Sequence, residues 1–176
     1  MREWFDVWGQ LVKGKILTKV FTLLLVFLVG IVFSGAIANP AWAEDYNKEF
    51  LVGVDFSHRS LTDASFTKAN LRNSNFSHAD LRGVSFFGAN LESANFESAD
   101  LTNTTLDTAR FTDANLTNAI LEGAFAFNAK FDGALIDGAD FTDAELRQDA
   151  QKLLCKTAKG TNPTTGRDTR DTLYCP

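Results

Sequence analysis

The chain has 176 residues, 45% of them hydrophobic, and its 22 acidic side chains against 17 basic ones give a formal net charge of −5. A surplus of carboxylates argues against a grip on a polyanion, so no nucleic-acid partner is expected. The two cysteines and two histidines form no cluster of metal-ligand spacing, and neither a Ser/His/Asp nucleophile motif nor a Gly-rich phosphate loop is present.

The first element is an export signal. Arg2, Lys13, Lys15 and Lys19 precede an apolar run over 20–33, broken only by Thr22 and Gly30, and small residues lead to Ala41-Trp42-Ala43. A basic start, an apolar middle and an A-x-A end describe a secretory signal peptide over 1–43. If the run extends through Ile37 it approaches the ~18 residues that span a bilayer, so an uncleaved anchor is the alternative and the one route to membrane contact. No twin-arginine pair is present, which favours the general secretory path. Cleavage after Ala43 leaves 133 residues with 20 acidic and 13 basic side chains. Residues 44–50 read as an N-terminal cap or linker, with Phe50 or Tyr46 plugging the near end of the repeat region.

From Phe56 onward every fifth residue is Phe, Leu or Ile, through Phe66, Leu71, Phe76, Leu81 and on to Leu121. Ala126 interrupts the series, which resumes with Phe131, Ile136, Phe141 and Leu146. Two residues before nearly all of them stands a small residue, usually Ala, Arg59 before Leu61 being the exception. A helix would smear a five-residue period around its axis, and a continuous strand would alternate it between faces. Both series stay on one side only if the chain turns once per unit. Four corners close a square, so the chain is expected to wind as a four-sided coil of about twenty residues per turn. Residues between the inward ones face water, as in Ser57-His58 and Thr62-Asp63.

Units such as Ala69-Asn70-Leu71-Arg72-Asn73, Ala79-Asp80-Leu81-Arg82-Gly83 and Ala99-Asp100-Leu101-Thr102-Asn103 resemble the A-(D/N)-L-x-x signature of pentapeptide-repeat proteins. The resemblance covers roughly residues 51–146 and implies an all-β, right-handed quadrilateral β-helix over 51–145. About five coils at the ~4.8 Å strand spacing make a rod near 24 Å long.

At its far end the period stops. Thr142-Asp143-Ala144-Glu145 resembles a capping box, and Leu146, Ala150, Leu153 and Leu154 have helical spacing. A helix over about 143–155 is expected to lie across the open end, opening a C-terminal section, 146–176, of helix and tail. Cys155 and Cys175 fall in that section. In an exported protein they are most simply a disulfide, with a redox-switched pair as the alternative. The tail from Leu154-Cys155-Lys156 through Asn162-Pro163-Thr164-Thr165-Gly166 to Cys175 resembles the C-terminal extension of lumenal pentapeptide-repeat proteins of chloroplasts and cyanobacteria. With the export signal it implies the thylakoid lumen, a bacterial periplasm being the alternative.

Catalysis is not expected. Pairs such as Asp137 and Asp140 arise from repetition, the recurring Ser, Thr, Asp and Asn suit corners, and a solenoid of short units offers few concave pockets. No cofactor or metal is assigned. Two exterior features stand out. His58 and His78 are twenty residues apart, hence stacked on adjacent coils, where they offer a pH- or metal-sensing pair. Phe87, Phe125 and Phe127 occupy positions that should face water and form a candidate patch for a protein partner or self-association. The coil is expected to distort at Ala126 so that Phe125 or Phe127 turns inward. The leading reading is a non-enzymatic lumenal scaffold or interaction module. A sensor using His58/His78 or Cys155/Cys175 is the alternative, and a polyanion mimic that inhibits a topoisomerase is disfavoured by export.

Overall fold

The computed structural model describes residues 44–176, and the expected export segment 1–43, with its anchor alternative, lies outside them. Within that range residues pair in parallel with the residue twenty positions on, from Asp45 with Ser65 to Phe125 with Glu145. Pairing runs in both directions. Inward Phe56 donates its N–H to Asn75 O (2.7 Å), and Asn75 donates back to Val54 O (3.0 Å). Each corner closes on itself: Ala64 N–H donates to Leu61 O at 3.0 Å, and the residue between them, Asp63, has φ +62°. A turn of this kind needs a left-handed residue at its third position. That residue recurs every fifth position from Lys48 to Asp143, with Asn128 as the one exception among the described residues.

The inward side chains fill the coil as two interleaved aromatic columns. Phe56, Phe76 and Phe96 stack at 4.9 Å between ring centroids. Tyr46, Phe66 and Phe86 stack at 4.7 and 5.2 Å. The columns meet edge to face, as Phe66 does Phe76 at 5.6 Å and 87°. Both arrangements suit the quadrupole of the rings. From Phe66 onward the small residues two before each ring are also buried, which lets the corners close around the column. Outside, Asn75, Asn95 and Asn115 form an amide ladder, each donating to the side-chain oxygen one coil earlier at 3.0–3.3 Å.

The residues read as an N-terminal cap or linker, 44–50, are already coil: Asp45 and Phe50 both bridge into the ladder. Tyr46 continues the inward series five residues before Leu51 and stacks on Phe66. Phe50 lies off that series and is 84% exposed, so it is not the plug.

The C-terminal helix is shorter than its spacing suggests. Helix α1 spans Gln148–Leu154, and its N-cap Arg147 makes no side-chain cap bond. The capping box is absent because the five-residue period continues through it. Asp143 is still a left-handed corner, Glu145 still bridges Phe125, and Thr142 bonds Asp140 Oδ1 through its hydroxyl (2.6 Å) and N–H (2.9 Å). Leu154, Ala158 and Leu173 belong to the same buried cluster as the coil, with Leu146 and Ala150 packed against it. A second short helix, α2, spans Thr169–Thr172. The sulfurs of Cys155 and Cys175 are bonded, with Cα atoms 5.6 Å apart.

Two side chains join the tail to the coil. Buried Asn162 donates from Nδ2 to Gly138 O (2.9 Å), Asn118 O (3.1 Å) and Ala119 O (3.3 Å), while its Oδ1 accepts from Thr164 and Thr165. Arg167 reaches Glu122 at 2.6 Å and the fully buried Asp140 at 3.4 Å. Burial pushes the Asp140 carboxyl up, but the Thr142 hydroxyl and amide and the Arg167 charge outweigh it and hold the group below the ordinary carboxylate range.

This packing has two measurable outcomes. Phe96→Ala removes the end of one aromatic column and should cost about 3–5 kcal/mol in urea unfolding, against less than about 1 kcal/mol for exposed Phe87→Ser. Because the Asp140 carboxyl is depressed on folding, its stabilising effect is complete above the unfolded value of about 3.9 and is lost as pH falls through the folded one. Asp140→Asn should therefore lower the urea midpoint at neutral pH and flatten its decline between pH 5 and pH 2.

Candidate functional site

Phe87, Phe125 and Phe127 all stand outside the coil, at 38%, 48% and 56% exposure. They share one face, because Ser85, Thr105 and Phe125 are successive rungs of the same ladder column. Phe87 and Phe127 are two coils apart, about 10 Å at the ~4.8 Å strand spacing, with Asp107 between them. Among the described residues no ring pair joins the three, so they form a spaced row rather than a stack.

The expected inward turn at Ala126 does not occur. Ala126 is itself 1% exposed and fills the inward position, leaving both flanking phenylalanines outside. The coil does deviate there, one residue later than the flanking rings. Asn128 abandons the left-handed corner, and its N–H and Nδ2 both turn back to Asp107 Oδ1 at 2.9 and 3.0 Å. Phe87, beside the regular left-handed corner Gly88, is outside as well, so the exposure of Phe127 follows from its place in the five-residue unit.

Between this end of the face and α1 lies an open cavity of about 410 Å³. Phe127, Ala150 and Leu153 give it apolar walls, and Lys130, Lys152 and Lys156 also line it. The five-residue period singles out Phe127 but none of the lysines. Lys130 comes from the coil, Lys152 from α1 and Lys156 from the turn after it, and only the fold brings them to one groove.

His58 and His78 meet as the twenty-residue spacing requires, rings 4.9 Å apart and 9° from parallel. Both sit at left-handed corners, φ +57° and +58°, with side chains in solvent. Among the described residues no group of three or more His, Cys, Asp or Glu side chains is placed to hold a metal ion. Cys155 and Cys175 lie beyond the coil, apart from the aromatic face.

Similarity to known proteins agrees with the geometry. A family model described as a pentapeptide repeat region matches residues 54–141. The crystal structure of a pentapeptide repeat protein from the Arabidopsis thaliana thylakoid lumen is 47% identical, with a TM-score of 0.73, over 74% of this chain and 90% of that one. Thylakoid lumenal 15 kDa protein 1, chloroplastic, of Arabidopsis thaliana is 62% identical over 37 residues, which is 21% of this chain and 16% of the relative. With the family model matching over half the chain and the solved relative over most of its own length, the protein belongs to the pentapeptide repeat family.

Proposed function

We propose that this protein is a non-enzymatic, exported scaffold or protein-interaction module of the thylakoid lumen. Its body is a right-handed quadrilateral β-helix of about five coils, counted from rungs that run in steps of twenty from Asp45 to Glu145. The tail 146–176 covers the C-terminal end, as a solenoid with an apolar cross-section requires. The observation that carries the reading is the row of exposed Phe87, Phe125 and Phe127 on one face of a rigid coil. Isolated exposed aromatics are ordinary, but three on one face, two of them flanking an alanine, point to a contact surface.

Placement in the lumen is supported by the basic, apolar and A-x-A pattern of 1–43 and by the lumenal origin of the two Arabidopsis relatives. A topoisomerase-inhibiting polyanion mimic fits less well. Export removes the protein from DNA, and Arg59, Arg72 and Arg82 pair with Glu44, Glu92 and Asp80, interrupting the negative field. The stacked His58–His78 pair supports a subordinate sensor reading, with imidazoles adjacent on one exposed corner. Under that reading Zn²⁺ or Ni²⁺ raises the melting temperature of the native chain but not of His78→Ala, and equal shifts in both dismiss it.

For the leading reading, the lumenal form should begin at Glu44 by mass spectrometry. A crosslinking pull-down from that fraction should capture a partner that the doubly substituted Phe87→Ser/Phe127→Ser chain loses while melting as the native one does. If the substituted chain retains every interaction, the aromatic face is not the contact surface.

A further inference from the structure

The aromatic face ends in a groove whose charge is opposite to that of the rod. Residues 51–150 carry 15 acidic and 7 basic side chains, yet the cavity beside Phe127 is lined by Lys130, Lys152 and Lys156. Arg147 and Asp149, which also line it, neutralise each other at 3.1 Å. Among the described residues the three lysines enter no ion pair, which leaves three ammonium groups against one unpaired carboxylate, Asp132.

Folding accounts for only part of that arrangement, since the dipole of α1 favours a cation at Lys152 but makes no demand for Lys130 or Lys156. Lys152 lies in the last turn of α1 and Lys156 in the turn just beyond it, and neither has a carboxylate partner there. Lys130 sits directly above Arg110 in the coil ladder, an unrelieved like-charge pair. Between the charges the walls are apolar, formed by Phe127, Ala150 and Leu153.

We propose that this groove docks an acidic segment of a protein partner. One aromatic or branched aliphatic side chain of the segment seats against Phe127 and Leu153, while carboxylates on either side of it meet Lys130, Lys152 and Lys156. The proposal rests on the interaction-module reading and names the chemistry of its partner. Charge complementarity selects the occupant. A partner attracted by the overall charge of the molecule would be basic, and one held by apolar contact alone would be indifferent to the lysines. A long polyanion would have to run on along the acidic coil.

The test uses the protein expressed from its full reading frame in an exporting host, with its N-terminus recorded. Three fluorescein-labelled nine-residue peptides are compared by anisotropy: one of Glu and Asp around a central Phe-Leu, the same with every acid replaced by Lys, and the acidic one with Ser-Ser at its centre. The acidic Phe-Leu peptide should bind about tenfold tighter than either control, weaken as salt rises, and lose about tenfold in affinity to Lys152→Glu/Lys156→Glu. Lys130→Glu, on the coil rather than the helix, should act in the same direction and serves as the second variant if the helix change disturbs folding. Equal or tighter binding of the lysine peptide overturns the proposal, as does unchanged binding by both variants. A salt-sensitive dimer in sedimentation velocity that Lys152→Glu/Lys156→Glu dissolves would seat a second copy in the groove, and it too overturns the assignment. A partner lost on Phe87→Ser/Phe127→Ser but retained by the lysine variants would leave the interaction face standing and remove only its acidic partner.

Discussion

Peptide groups in this coil have few bonding options within their own unit. Each corner satisfies one carbonyl by the bond from the residue three positions on, and other backbone groups along the sides reach the coil before or after. An unpaired buried amide or carbonyl costs as much as a lost hydrogen bond, so each turn of chain is stable only against its neighbours. That dependence fixes the twenty-residue register, and the register fixes everything else. It brings ring over ring at 4.9 Å in one column, amide over amide in the asparagine ladder, and imidazole over imidazole at the corner.

The inward columns and the outward features then obey different rules. Inward positions must be filled, because a ring lost from the stack leaves a void the fixed coil cannot collapse onto. Outward positions are released from packing, so what occupies them reports on something other than folding. Phe127 illustrates the distinction. Its neighbour Ala126 meets the inward requirement alone, and the Asn128 side chain and amide hold the altered corner by two bonds to Asp107. The aromatic ring thus occupies a regular outward position, as Phe87 does beside an unaltered corner, rather than being a core residue that failed to fit.

The coil itself was legible from the five-residue period, since no other geometry keeps Phe56, Leu61 and Phe66 on one side. The pairing of His58 with His78 and the shared face of Phe87 and Phe127 came from the same count. The ends were less legible. Tyr46 is inward and Phe50 outward, a distinction the period does contain but which a weak first unit, flanked by acidic residues, obscured. At the other end, helical spacing in Leu146–Leu154 suggested a helix reaching back to 143, whereas backbone bonding to the preceding coil holds residues up to Glu145 in the ladder. The lysine-lined groove was not legible at all, because Lys130 and Lys156 meet only through the way α1 lies on the last coil.

The register also makes length a free variable. Since ladder partners lie one coil apart, duplicating or excising twenty residues within the repeat restores each donor to an acceptor of the same kind and returns every column to its place. A change of five would instead rotate the rest of the chain by a quarter turn, carrying Phe127 and the tail to the adjoining face while leaving Phe87 behind. Evolution can therefore treat such a rod as a ruler cut in whole turns, or as a dial with four settings, without inventing a new fold.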